Sequence, residues 1–443
     1  MYYSEELSKA LKGIGAEIGD RLRVTQAGRV YEGILMPRIE LGCRNALVLK
    51  LPNGYNVGVR YEGARIEKLE GGASIEFVRK EEIEMKRTPG KPNVSIISTG
   101  GTIASRIDYK TGGVYAAFGT SDLLAATPEL KDIANLKSEL LFGLMSEDMR
   151  PEHWKKIAHR VAKELNAGAD GVIVTHGTDT MHFTSAALSF MLSGLGKPVV
   201  LTGAQRSSDR GSSEAFMNII CSTWFAARAD VAEVSLLMHA SMSDDFCYAH
   251  RGTKVRKMHA SRRDAFRSIN ETPIAKVFSD GRIEMLGACK KRGDSEVKVE
   301  DELEEKVALI KVYPGVNPEV MDFYIGRGYK GIVIEGTGMG HVPTTIKEFS
   351  LIPKIKEASD KGIPVCITTQ CLYGRVHSSV YANQREILKA GGIHCEDMLP
   401  EVAYIKLMWA LGKSRNFEEV KKLMLTPVAG EITERSTADE FPE

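Results

Sequence analysis

The sequence predicts an α/β protein of two lobes built on parallel sheets, preceded by a small all-β barrel module. Three observations carry that expectation. From residue 93 onward, short apolar runs end in glycine turns and lead into helical periods at roughly thirty-residue spacing, the pattern of right-handed crossovers between parallel strands. Between residues 20 and 70 the hydrophobic period is two instead, with frequent glycines. The two regions are separated by Arg87-Thr-Pro-Gly-Lys-Pro92, whose prolines mark a domain boundary.

A chain of 443 residues exceeds one ordinary core, so several units are expected. The expected division is a β module over 1–75, a linker over 76–92, a first lobe over 93–290, a linker over 291–306 and a second lobe over 307–443. Fifty-nine basic against 58 acidic residues give a net charge of +1, which exerts no global pull on nucleic acid or membrane. No apolar run approaches the ~20 residues of a membrane span, and Met1-Tyr-Tyr-Ser-Glu-Glu lacks the basic start of a secretory signal, so a cytoplasmic protein is expected. The seven cysteines are scattered and odd in number, which argues against a disulfide framework. Cys366, Cys371, His394 and Cys395 lack C-x2-C spacing and read as ordinary thiols and a histidine, so no metal site is expected.

In chain order, residues 4–17 offer a short amphipathic turn or helix. Leu22 and Val24, then Leu47, Leu49 and Leu51, then Tyr55, Val57 and Val59 alternate as strands, with Asn53-Gly54 as a hairpin turn. Short strands of this kind suit an SH3-like or OB-like barrel, a class with many unrelated ligands. Arg21, Arg23, Arg29, Arg38 and Arg44 can form one basic face, or equally a solvated barrel surface.

The stretch Val94-Ser-Ile-Ile-Ser-Thr-Gly-Gly-Thr-Ile-Ala-Ser105 is a buried strand that delivers a hydroxyl into a glycine turn. Paired glycines let the backbone bend and present N–H groups to a ligand, with Gly101 in the turn and Thr102 where a carbonyl could approach. Gly171 to Thr180 repeats the design, ending in His176-Gly177-Thr178-Asp179 before a helix from Met181. Two such turns can face each other at the carboxyl edge of a parallel sheet, where open α/β sheets place ligands. Thr111-Gly-Gly-Val-Tyr115 reads as a lid-like loop. Met145-Ser-Glu-Asp-Met149 follows a strand and opens a helix with Trp154, Ile157, Val161 and Leu165 on one face; its acids also suit the helix dipole. Later strands are expected at 198–202, 234–239, 307–312, 331–335 and 364–369, with a helical end over 400–425. Gly336-Thr-Gly-Met-Gly340 is an incomplete nucleotide fingerprint and no Walker A run is present, so no cofactor is expected on this chain.

With both turns in hand, the chain resembles the bacterial-type L-asparaginase/glutaminase family, whose Thr-Gly-Gly-Thr-Ile-Ala and His-Gly-Thr-Asp-Thr signatures stand here unaltered. The resemblance implies a two-lobed asparaginase-like fold and amide hydrolysis through Thr102, Thr178, Asp179 and a lysine, with a loop tyrosine matched by Tyr115. It implies substrate contacts at Gly101, Ser146, Glu147 and Gly177. The family's lysine follows a strand in a Thr-Lys pair, which matches Thr253-Lys254; flanking residues depart from the family wording and leave Lys257 as the neighbouring register.

A free asparaginase begins close to its first signature, whereas here the β module precedes it. That architecture resembles the D-subunit family of the archaeal glutamyl-tRNA(Gln) amidotransferases. Membership would imply a glutaminase that passes ammonia to an E subunit, with tRNA(Gln), ATP and Mg held mainly by that partner. It would also imply a homodimer through the asparaginase lobes within a heterotetramer. The alternative is a stand-alone L-asparaginase/glutaminase with an accessory β domain.

Overall fold

The computed structural model describes residues 3–36, 43–52, 56–69, 82–84, 88–101, 105–107, 114–116, 127, 129–207, 212–438 and 441, with 82–84, 105–107 and 114–116 described as backbone only. The turn at Asn53–Gly54, Arg38 and Thr102 lie outside these residues, as does the side chain of Tyr115.

At the N-terminus, the antiparallel order is Asn56–Arg60, Ala46–Lys50, Arg29–Leu35, Arg21–Gln26 and Arg65–Lys68. Alternation builds it: Leu22 and Val24 are buried while Arg21 and Arg23 are exposed. The inner face closes on Leu7 and Leu11 of the helix Glu5–Gly13, with Leu35, Leu47, Leu49 and Val59. Ser4 caps that helix by accepting from the Leu7 N–H. Among the described residues no ladder joins Asn56–Arg60 to Arg65–Lys68. The expected barrel module is thus seen, in its described residues, as a five-stranded antiparallel sheet with a helix on one face. Two arginines of the expected basic face have acidic partners: Glu32 meets Arg21 and Arg23, and Glu67 meets Arg23 as well as Arg65.

The main sheet runs Ile283–Met285, Ala275–Val277, Cys247–Arg251, Val234–His239, Val199–Thr202, Gly171–Thr175, Asn93–Gly100, Asn135–Leu144 and Glu82–Glu84. The five strands from Val234–His239 to Asn135–Leu144 are mutually parallel, and those flanking them are antiparallel. Glu82–Glu84, within the stretch read as a linker, thus supplies an edge strand. Because side chains alternate, Ile97, Val172, Val174 and Leu201 face the helices Pro151–Asn166 and Met181–Met191. Ile96, Ile173 and Val200 face Ala215–Arg228 on the other side.

In the second lobe, the strands Val307–Lys311, Gly331–Gly336, Val365–Thr369 and Gly392–His394 form a parallel sheet in chain order. Its helix Pro400–Lys413 packs into the same apolar cluster as Met181–Met191, with Phe190 and Trp409 rings 5.9 Å apart. One continuous core therefore joins the lobes and fixes what each presents to the other.

Candidate active site

Strand Gly171–Thr175 is buried at every position and level with its neighbours, Thr175 opposing Ser98 and Thr202. The next residue, His176, is wholly buried and makes two hydrogen bonds that set the turn. Trp154 Nε1–H donates to Thr184 Oγ1 at 3.1 Å, which leaves the Thr184 hydroxyl to donate to His176 Nε2 at 2.9 Å. The His176 Nδ1–H then donates to the Gly177 carbonyl at 2.7 Å, and this fixes the tautomer. Burial pushes the imidazole pKa down to about 4, so it serves as a neutral strut.

The two glycine turns touch. A Cβ on Gly101, whose φ is +81°, would lie 2.3 Å from the Gly177 nitrogen, and a Cβ on Gly177 would lie 2.8 Å from Ser146 Cβ. Only glycines permit three backbone segments to meet this closely. Thr180 Oγ1 donates to the Ser146 carbonyl at 2.6 Å, locking the third segment to the second. Gly101, Ser146 and Gly177 are thereby brought together with Thr178 and Asp179, while Glu147 is exposed beside Ser146. Backbone Val114–Ala116 pairs antiparallel with Ser105–Ile107, opposing Tyr115 to Arg106, and residues 111–113 of the expected lid loop lie outside the described residues.

The lysine assignment requires correction. Lys254 does not reach the turns: it is fully buried, and its Nζ lies 2.5 Å from Asp397 Oδ2 in the second lobe. Burial lowers its pKa, with Asp397 opposing that shift. Lys257 takes the place expected of it. Its Nζ donates to Thr178 Oγ1 at 3.0 Å and to Asp179 Oδ1 at 2.5 Å. Thr178 is buried, whereas the Asp179 side chain is 64% exposed and open to a ligand. Alternation in the strand Val255–Lys257 explains the difference, since Lys257 shares a face with Val255 and Lys254 precedes the strand.

Two further contacts escaped the sequence reading. Thr178 Oγ1 donates to Gln205 Oε1 at 3.5 Å, which places the Gly203-Ala-Gln205 turn beside the site. Next to Lys257, Arg256 NH1 lies 3.4 Å from Glu401 Oε2, a carboxyl whose pKa burial pushes up. Neither Gln205 nor Glu401 stands in a pattern that marks it for chemistry. Among the described residues no His, Cys, Asp or Glu group is arranged to hold a metal. No described helix is long and apolar enough to cross a membrane.

Acid should undo this architecture early. His176, at about 4, and His182 and His250, each at about 3, stay neutral in the fold but bind protons once unfolded below an ordinary value of 6.5. Stability is therefore expected to fall as pH drops from 6.5 toward 4, with His176 alone contributing on the order of 3 kcal/mol across its window. Urea unfolding midpoints at pH 7 and pH 5 check this; equal midpoints would contradict it.

Comparisons with known proteins agree with the geometry. Family models described as "Asparaginase, N-terminal", "Glutaminase/Asparaginase C-terminal domain" and "GatD N-terminal domain" match residues 93–290, 306–424 and 16–69. The chain is 56% identical over 437 residues to the glutamyl-tRNA(Gln) amidotransferase D subunit of Pyrococcus abyssi, covering 97% of this chain and 98% of that one. It is 50% identical over 441 residues to the protein of the same name from Methanothermobacter thermautotrophicus, covering 100% of both. Among solved structures, the thermostable L-asparaginase from Thermococcus kodakarensis aligns with a TM-score of 0.69 at 34% identity, covering 77% of this chain and 100% of that one. L-asparaginase I from Vibrio cholerae aligns with a TM-score of 0.69 at 30% identity, covering 78% and 100%.

Proposed function

This chain belongs to the family of glutamyl-tRNA(Gln) amidotransferase D subunits, and from that premise we propose that it hydrolyses the side-chain amide of glutamine to supply ammonia for converting Glu-tRNA(Gln) to Gln-tRNA(Gln). The observation that carries the chemistry is the Lys257 amine in contact with both Thr178 and Asp179, on a turn pressed against Gly101.

A carboxamide is a poor electrophile, so hydrolysis needs an activated nucleophile, oxyanion donors and a proton for the departing ammonia. Thr102 attacks the amide carbon and displaces ammonia, leaving an acyl ester that water then cleaves. Thr178, hydrogen-bonded to Lys257, relays protons between that amine and the reacting groups. Asp179 orients the amine and offers its exposed carboxylate to the substrate's α-ammonium. The turns around Gly101 and Gly177 supply the oxyanion donors, Ser146 lines the side-chain pocket, and Glu147 and Tyr115 are the remaining candidates for contact with glutamine or, less well, asparagine.

The partner in this reading is the E subunit, which holds tRNA(Gln) and performs the ATP- and Mg-dependent activation. Two copies of this chain pair through their asparaginase lobes, giving a heterotetramer in the cytoplasm. The near-neutral charge and the paired arginines of the N-terminal sheet support a supply role in which the partner handles the nucleic acid.

Ammonia supply can be separated from amidation. The complex carrying Thr102→Ala is expected to lose Gln-tRNA formation from glutamine by about a thousandfold or more, yet to form it when an ammonium salt replaces glutamine. Undiminished use of glutamine by that variant would refute the assignment.

A further inference from the structure

Lys254 is invested in a place where a solvated lysine would be ordinary, and its partner draws in a third segment. Asp397 accepts from Lys254 Nζ at 2.5 Å, from the Thr433 N–H at 3.0 Å and from Thr433 Oγ1 at 2.6 Å. Its own carbonyl accepts from Asn270 Nδ2 at 3.2 Å. Lys254 and Asn270 lie at the base of the hairpin that pairs Val255–Lys257 with Phe266–Ser268, where the Ile269 N–H donates to the Lys254 carbonyl at 2.8 Å. Both ends of the hairpin that delivers the Lys257 amine are thus moored to one aspartate of the other lobe.

The segment that closes this mooring, residues 426–434, lies beyond the matched C-terminal domain. It is tied on every side. Thr253 Oγ1 donates to the Ala429 carbonyl at 2.9 Å, and Arg375 NH2 donates to the Thr433 carbonyl at 2.8 Å. Glu431 is fully buried against Lys406, whose Nζ also donates to the Met424 and Thr426 carbonyls. Two lysine–carboxylate pairs without solvent exposure therefore hold one short segment. Buried pairs are poor sources of net stability, because desolvation offsets their attraction, and fixing a register is their best-attested use. A register-fixing device at the base of a catalytic hairpin acts on the position of whatever that hairpin carries.

We propose that Lys254, Asp397 and Thr433 are positioning residues that hold the Lys257 amine on Thr178 and Asp179, so that the C-terminal segment governs the rate of amide hydrolysis. The proposal rests on the reading of Lys257 as the catalytic amine. A positioning role changes turnover more than substrate affinity, since ångström-scale displacement of a reacting group costs up to about a hundredfold.

Glutamine hydrolysis by the full-length chain with its copurifying partner, measured as kcat, KM and the pH profile of kcat, tests this. Thr433→Val removes the hydroxyl bond and is expected to lower kcat about tenfold with KM unchanged and the pH profile displaced, while Thr433→Ser restores both. Thr253→Val, which frees the segment at its other end, is expected to act in the same direction. Wild-type kcat and pH profile in Thr433→Val and Thr253→Val, beside an inactive Lys257→Met, would overturn the positioning role alone. Normal turnover by Lys257→Met would overturn it together with the reading beneath it.

Discussion

Lys257→Met is expected to lower ammonia release from glutamine by about a thousandfold while leaving the fold intact, because it removes the amine that contacts Thr178 and Asp179 and creates no buried charge. Methionine keeps the length and apolar stem of lysine, and the Asp179 carboxylate left behind is 64% exposed, so solvent can take over. Lys254→Met should behave in the opposite manner. There the change strands Asp397 in a site with no solvent exposure, at a cost of about 3–5 kcal/mol, while turnover per folded molecule falls only by the smaller positioning factor. Steady-state rates and melting temperatures of the two variants, measured side by side, distinguish the lysines. A stable, inactive Lys254→Met beside an active Lys257→Met would restore the register that the sequence alone favoured.

Gly101→Ala is expected to be nearly as damaging by a different route. At φ +81° an alanine is strained by about 1–2 kcal/mol, and its methyl would lie 2.3 Å and 2.4 Å from the Gly177 nitrogen and Cα, both backbone atoms unable to rotate aside. The two turns must separate, which spoils their mutual placement, and kcat should fall about a hundredfold. Gly168→Ala is the control. Its φ is +97° and nothing lies within 4 Å of the added methyl, so it should lose stability with normal turnover. Equal turnover by the two variants would contradict the close approach of the turns.

The parts of this arrangement that were legible in sequence are those written locally. A buried strand running into Gly100-Gly101 or His176-Gly177 is a period and a turn within one short window, so both turns and their sheet edge could be expected from it. What failed was decided at long range. Lys254 and Lys257 stand in one basic stretch, and what separates them is an aspartate 143 residues away that buries the first. Strand order in the N-terminal sheet likewise depends on pairing between strands, which alternation along each strand does not specify. Its Ala27-Gly28 turn, with both φ values positive, was hidden because alanine is a rare occupant of such a position. The antiparallel strands that flank the parallel core are short and carry no crossover signal.

The most direct test is to map where an electrophilic, diazoketone-bearing analogue of glutamine attaches to the full-length chain, using mass spectrometry of its peptides. A single adduct is expected on the peptide holding Thr102, lost in Lys257→Met and retained in folded Lys254→Met. An adduct on neither glycine turn, or one formed at an unchanged rate without the Lys257 amine, would contradict the convergence of the two turns and that amine on one amide.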